Sequence, residues 1–180
     1  MKTRTLLLLL LLVLVVSLCG TVFAYMYQHT GQEEYQFRPA TVACSVQETV
    51  SGGSKTSIQI RNDGTIDAYL RLRLVSYWVN PSGEVIAKPA PLSAISPLPS
   101  GWIAGSNDTY YFTSPVSPTA PSNLTSNLLS EIGSIALAVD GDGNKQVIEV
   151  FAEAIQSAPE TAVTSSWGVT ITDGNIASVP

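Results

Sequence analysis

Apolar and polar residues alternate along most of the chain beyond residue 36, with the two-residue period of β-strands. The clearest example is AYLRLRLVSYWV, residues 68–79, in which leucines alternate with arginines. Successive side chains of a strand point to opposite faces of its sheet, so we expect the leucines to face a core and the arginines to face solvent. The residues are Leu70, Leu72 and Leu74 on one face and Arg71 and Arg73 on the other. Such one-sided burial is typical of antiparallel sheets.

Turn sequences divide this region into short strands. NDG at 62–64 is a common hairpin turn, and it predicts that strand 55–61 pairs antiparallel with strand 67–79. DGDGN at 140–144 predicts a second hairpin. Its second strand, 145–157, is partly apolar on both faces, so we expect it to be central in its sheet.

The remaining sequence predicts a surface loop and one short helix. PAPLSAISPLPS at 89–100 cannot continue the interior of a sheet, because proline lacks a backbone N–H donor. Pro159 at the start, Glu160 in the first turn and Gly168 after the end predict a short helix. A last strand is predicted at 169–172.

Together these elements predict an all-β fold with a defined domain organisation. Seven or eight short strands separated by Gly, Pro and Asn turns are typical of a two-sheet antiparallel sandwich, jelly-roll or immunoglobulin-like, here with one short helix near the C-terminus. We expect the sandwich domain to span 36–172. A linker or mature N-terminus would precede it at 25–35, and a C-terminal tail would follow at 173–180.

The first 24 residues predict export from the cell. Lys2 and Arg4 precede an uncharged apolar run from Leu6 to Phe23, which is the pattern of a signal peptide. Two outcomes fit this run: cleavage after Ala24, or retention of residues 5–24 as a transmembrane helix, since about 17–25 apolar residues span a bilayer. Either outcome places the rest of the chain outside the cytoplasm, secreted or at the cell surface.

The charge of the chain argues against a nucleic-acid partner. The net charge is −5, charged residues make up 13 % of the chain, and the nine Lys and Arg residues are scattered. A nucleic-acid surface needs clustered Lys and Arg to displace counterions. We therefore expect no nucleic-acid binding.

The residue inventory also argues against catalysis and metal binding. His29 is the single histidine and lies in the predicted linker, so the domain cannot form a Ser-His-Asp triad or a zinc site with Cys44. Residues 140–144 begin like a calcium loop, but Lys145 stands where that loop requires glycine, so a hairpin turn is the better interpretation. We expect a protein that is not an enzyme and has no cofactor.

The two cysteines cannot form a disulfide within the domain. Cys19 lies in the apolar run, and Cys44 lies in the first predicted strand. Alternation places Cys44 on one face with Val42 and Val46. Because a free cysteine packs as a small hydrophobic residue, we expect Cys44 to be buried.

Two kinds of surface are candidates for partner contacts. The polar side of strand 67–79 carries Tyr69, Arg71, Arg73 and Tyr77, and Tyr and Arg are enriched at protein interfaces. An unpaired edge strand could also accept an extended segment of another chain. The expected partners are further copies of this chain, by strand addition, or other cell-surface proteins.

Three segments resemble, in their order, exported proteins of Gram-positive bacteria of the TasA–camelysin group. They are SIQIRNDGTIDAYLRLRLVSYW at 57–78, DTYYFTSPVSPTAPSNL at 108–124 and VIEVFAEAIQSAPETAVTSSWG at 147–168. The resemblance implies a jelly-roll-like sandwich behind a signal that a dedicated signal peptidase processes. It also implies a role at the cell surface or in a biofilm matrix. Better-known members polymerise, with the mature N-terminal segment of one subunit acting as a strand in the next.

These inferences predict a non-catalytic structural protein that associates through β-strand edges. The alternative is a membrane-anchored extracellular binding module for a glycan or a protein partner. Retention of residues 1–24 would favour that alternative.

Overall fold

The structure of this chain is a computed structural model that describes Thr3, residues 13–17, Cys19 and residues 39–180. The chain divides into two compact units, Met1–Pro39 and Ala40–Pro180. The described residues of the first unit before Pro39 are helical. Among all described residues, no helix has the length and hydropathy needed to cross a membrane. The predicted cleavage after Ala24 and the linker at 25–35 lie outside the described residues.

The second unit consists of ten strands and one helix. The strands are β1 (Cys44–Ser51), β2 (Ser54–Asn62), β3 (Ala68–Val79), β4 (Val85–Ile86), β5 (Trp102–Ala104), β6 (Thr109–Phe112), β7 (Ile135–Ala136), β8 (Lys145–Gln156), β9 (Thr170–Thr172) and β10 (Asn175–Ser178). Helix α1 (Glu160–Trp167) follows β8. All strand pairs are antiparallel, so the predicted mostly-β fold with one short helix is confirmed.

The strands form three sheets. Sheet A has the order β1-β2-β7, and β9 and β10 form a separate hairpin. Sheet B is built on β3, which pairs with β8 along one side and with β6 and then β4 along the other. β5 extends sheet B beyond β6.

Sheets A and B share one hydrophobic core. Leu70 and Leu72 of β3 are fully buried, and they pack in one cluster with Ile58 and Ile60 of β2. Arg73, between the leucines, is exposed, whereas Arg71 is half-buried. The predicted burial of the leucines is confirmed, and the predicted solvation of the opposite face is confirmed at Arg73 but not at Arg71. Burying each leucine stabilises the fold by about 1.5–3 kcal/mol, which makes this strand a main source of stability.

Helix α1 forms where the sequence predicts it and covers part of sheet B. Pro159 precedes it, and Gly168 ends it with a left-handed φ of 68°, from which its N–H donates to the Thr164 carbonyl oxygen at 3.0 Å. Val163 and Trp167 are the buried residues of the helix. They belong to a second apolar cluster, together with Tyr69, Tyr111, Val169 and Ile176.

The prediction that the turn at 62–64 joins two paired strands of a hairpin is wrong. β2 and β3 lie in different sheets, and the turn is a crossover between them. Asn62 is the physical reason: its buried amide nitrogen donates to the carbonyl oxygens of Ile66 and Val116, while its amide oxygen accepts from the N–H of Gly64. The asparagine thus directs the chain out of sheet A instead of closing a two-stranded ribbon.

The C-terminal residues are structured where a tail was expected. Residues 173–180 include β10, which pairs with β9 to extend the strand predicted at 169–172 into a hairpin. The side chain of Ile176 is 3 % exposed and packs in the second cluster. Burial of this isoleucine accounts for the order of the last residues.

Candidate functional site

The longest free strand edge in residues 39–180 belongs to β8. β8 pairs with β3 over its whole length without a register shift, and the named strands offer it no other partner. The expectation that strand 145–157 is central is therefore wrong. Its second apolar side is open at Phe151, which is 52 % exposed, and is covered only near its end, where Ile155 packs in the second cluster.

The phase of the β3–β8 ladder determines which backbone groups are free. The backbone groups of Ala68 bond to Val116 and the N–H of Leu74 bonds to Asp108, so these two residues direct their backbone groups away from β8. The odd-numbered residues of β3 between them therefore direct their N–H and C=O groups toward β8. In the β3–β8 register, even-numbered residues of β8 stand opposite even-numbered residues of β3. The backbone N–H and C=O groups of the even-numbered β8 residues therefore point away from β3, toward the free edge. The N–H of Gln146 donates to Ala138, on the outer side, which agrees with this phase.

The free part of the edge runs from Val147 to Gln156. Before it, the segment around Val139 pairs with Lys145 and covers the start of the strand. The outward-facing N–H and C=O groups in the free part belong to the alternate residues Ile148, Val150, Ala152, Ala154 and Gln156. An incoming strand would bond to these groups and leave the pairing with β3 intact.

The other sheet edges are short, covered or distorted. β4, β5 and β7 contain two, three and two residues. The side of β2 away from β1 is covered by a segment whose residues Asn123, Thr125 and Leu128 bond to its backbone. β1 carries a register shift between Thr49 and Val50. Short, covered and bulged edges resist pairing with other chains, so β8 is the edge suited to association.

A groove lies between β8 and β1. Some Cα atoms of the two strands come within 8 Å of each other, and residues of both strands line a space of about 490 Å³. Val46, Val50 and Leu137 supply apolar lining, and consecutive residues of β8 form one wall. Lys55 and Glu48 add an ion pair with an N–O distance of 2.5 Å.

Helix α1 and the β9–β10 hairpin cover one end of the predicted interaction face on β3 and leave the other end accessible. Tyr69 was expected on the solvated side, but it is 1 % exposed, because α1 and the β9–β10 hairpin cover this end of sheet B. Its hydroxyl donates to the Gly174 carbonyl oxygen at 2.7 Å. Tyr69 is therefore a packing residue, and its inclusion in the interaction face is corrected.

Arg71 is part of the same covered region. Its guanidinium carbon lies 4.7 Å from the ring centroid of Trp167 and 5.6 Å from that of Tyr111. The guanidinium also pairs with the Glu153 carboxylate at 2.7 Å. These contacts join β3, β6, β8 and α1, so Arg71 fastens the helix to the sheet.

The rest of the predicted face remains accessible. Arg73 is exposed and Tyr77 is half-buried, and both lie on the outer face of sheet B. Phe151 of β8 stands directly opposite Arg73. Partial burial raises the pKa of Tyr77, with a further contribution from Glu149. This open face adjoins the free edge of β8.

The loop at 140–144 uses its first carboxylate to organise the turn. Asp140 accepts hydrogen bonds from the backbone N–H groups of Asp142 and Asn144, and its second oxygen pairs with Lys88. The hydrogen bonds from Lys88 and Asn144 lower the pKa of Asp140. A lysine already balances this carboxylate. Across the described residues, no group of three or more His, Cys, Asp or Glu side chains is arranged to hold a metal ion.

Cys44 is half-buried and packs against the main core. Burial raises the pKa of its thiol, and the carboxylates of Asp63 and Glu153 raise it further. A thiol in this environment is a weak nucleophile. The predicted packing of Cys44 against the core is confirmed, but its expected full burial is not.

Comparison with known proteins gives no relatives. No protein-family model, no curated protein and no solved structure matches this chain.

Proposed function

We propose that this chain is a non-catalytic structural protein of the cell surface or extracellular matrix, and that it associates with other chains through strand edges. The observation that carries the proposal is the free edge of β8 from Val147 onward, which is long and unbroken in register. Such edges recruit extended segments of other chains unless they are blocked.

The proposed architecture is an antiparallel sandwich, jelly-roll or immunoglobulin-like, with sheets A and B as its layers. The shared core of Ile58, Ile60, Leu70 and Leu72 supports this arrangement. In such a sandwich β1 and β8 are the edges of opposite layers on one side of the domain. Association at this side would extend the layers from one chain to the next.

The proposed location rests on the sequence of the first 24 residues. The charged start and the apolar run that follows support export, with cleavage after Ala24 or retention as an anchor. The resemblance of segments 57–78, 108–124 and 147–168 to the TasA–camelysin group supports a surface or matrix role.

A second candidate function is a membrane-anchored module that binds a protein or glycan. The accessible face of sheet B favours it, because Arg73, Tyr77 and the half-exposed Phe151 lie together there. Arg and aromatic side chains are enriched in binding surfaces.

Light scattering and electron microscopy of the protein recovered from its own cells test the main proposal. We expect particle mass to rise with concentration, and Phe151→Lys to suppress the rise by placing a charge beside the free edge. Val85→Lys is the matched control, since Val85 is 68 % exposed on the short strand β4. A strict monomer at every concentration, or equal effects of the two lysines, contradicts association through β8.

A further inference from the structure

The groove beside β8 holds one buried ammonium group among apolar side chains. Lys55 is 4 % exposed and lines the groove together with Val46, Val50 and Leu137. The lining also includes Glu48 and the exposed Glu149. Burying a lysine is costly unless its charge is paired, so its position needs an explanation.

The ion pair with Glu48 uses only some of the hydrogen-bond donors of the Lys55 ammonium. A lysine ammonium has three N–H donors. Within residues 39–180, its hydrogen-bond partner is the Glu48 carboxylate, on a side chain that is 39 % exposed. Donor capacity therefore remains for a second carboxylate that enters from the groove.

The ion pair also selects among strands that could add to the edge. Glu48 pairs with Ile58 in the β1–β2 register, so it lies on the core-facing side of an edge strand. An inward charge on an edge strand disfavours indiscriminate pairing. A wholly apolar strand would shield both charges from water without adding a partner, whereas a strand with an inward carboxylate would complete the site.

We propose that the groove accepts an extended acidic peptide segment that pairs with the outward groups of Ile148 and Val150 and places one carboxylate against Lys55. This inference rests on the proposed function, because it uses the same edge of β8. The side chains of the segment two positions before and after the carboxylate face the apolar lining of Val46, Val50 and Leu137. The recognised pattern is thus an acidic residue flanked at alternate positions by apolar residues.

A pair of fluorescent peptides tests this specificity on the full-length chain in detergent micelles. Both are nine-residue peptides that alternate valine and threonine, with glutamate or glutamine in place of the central valine. A hydrogen bond to a charged group contributes about 1.5–3 kcal/mol, so we expect the glutamate peptide to bind about tenfold more tightly or better. Fluorescence anisotropy measures the two dissociation constants.

Three variants test whether Lys55 causes the preference for the glutamate peptide. Lys55→Met should abolish it, while Lys145→Met, at an exposed lysine on the start of β8, should leave it unchanged. Glu48→Gln removes the internal carboxylate and should increase the preference. This last variant retains the buried ammonium and tests the inference even if Lys55→Met fails to fold.

The outcomes separate this inference from the proposed function. Equal binding of the two peptides overturns the acidic-segment inference and leaves association through β8 standing. A glutamate preference that survives Lys55→Met, or that falls in Glu48→Gln, also overturns it. If neither peptide binds, and β8 amides gain no protection from hydrogen exchange with either, both proposals fail.

Discussion

Proline substitution at two valines of β8 separates the pairing with β3 from the free edge. By the ladder phase, the N–H of Val147 faces Tyr77 of β3, whereas the N–H of Val150 points outward. Proline has no N–H, so Val147→Pro removes a ladder hydrogen bond and Val150→Pro does not. The two variants carry the same chemical change in the same strand.

The difference in their stabilities follows from one hydrogen bond. Val147→Pro leaves the Tyr77 carbonyl oxygen without its donor, which costs about 1–3 kcal/mol in the free energy of unfolding. Both prolines restrict φ and the preceding residue alike, so these costs largely cancel in the comparison. Both valines are half-buried, but only Val150 packs against the main core. Loss of that packing adds a cost to Val150→Pro and reduces the difference between the two variants.

Urea unfolding followed by circular dichroism measures the two free energies. We expect Val147→Pro to be less stable than Val150→Pro, by at most the amount of that hydrogen bond. Val150→Pro should retain the fold but lose concentration-dependent association, because it removes a donor from the free edge. Equal stabilities, or Val150→Pro as the less stable variant, would refute the assignment of the outward groups.

Three further predictions concern the surroundings of the edge. Arg71→Met should cost about 1 kcal/mol of stability through loss of its contacts with aromatic rings, while Arg73→Met should change stability by less than about 0.5 kcal/mol; equal losses in urea unfolding would contradict the fastening role. Hydrogen bonds from Lys88 and Asn144 lower the pKa of Asp140 in the folded state. The ionised Asp140 carboxylate therefore stabilises the fold above about pH 4, and this stabilisation is lost as the pH falls toward the lowered pKa. Asp140→Asn should therefore lower the Tm more at about pH 7 than at about pH 2, and a larger effect in acid would reverse this sign. Alkylation of Cys44 at about pH 8, mapped by mass spectrometry, should be slow in the folded protein and fast in urea, and equal rates would show an accessible thiol.

The alternation of residues along the chain predicts local structure well. The buried and exposed sides of β3 follow from its leucines and arginines, and helix α1 begins and ends as Pro159 and Gly168 predict. These features depend on neighbouring residues, whose spacing the sequence displays directly.

Strand pairing is less predictable, because it depends on contacts between distant segments. The turn at 62–64 has hairpin chemistry, but the buried Asn62 uses its side chain to hold a crossover. The edge position of β8 was also missed. Lys145, Glu149 and Glu153 share one face of β8 and indicate only that this face is solvated, as Arg73 does on the central strand β3.

Burial of Tyr69 shows the same limit at the candidate interaction face. Its position between Ala68 and Leu70 indicates only that it faces away from the main core. Whether that side is solvated depends on α1 and the β9–β10 hairpin, about 100 residues later in the chain. No local pattern in β3 carries this information.

Amide hydrogen exchange along β8, measured by NMR at low and high protein concentration, tests the central claim most directly. In dilute protein we expect slow exchange at Val147, Glu149 and Phe151, which face β3, and fast exchange at Ile148, Val150 and Ala152. At high concentration the second set should become protected as strands from other chains pair with it. Protection of all six amides at every dilution, or no change with concentration at the second set, would contradict an associating edge at β8.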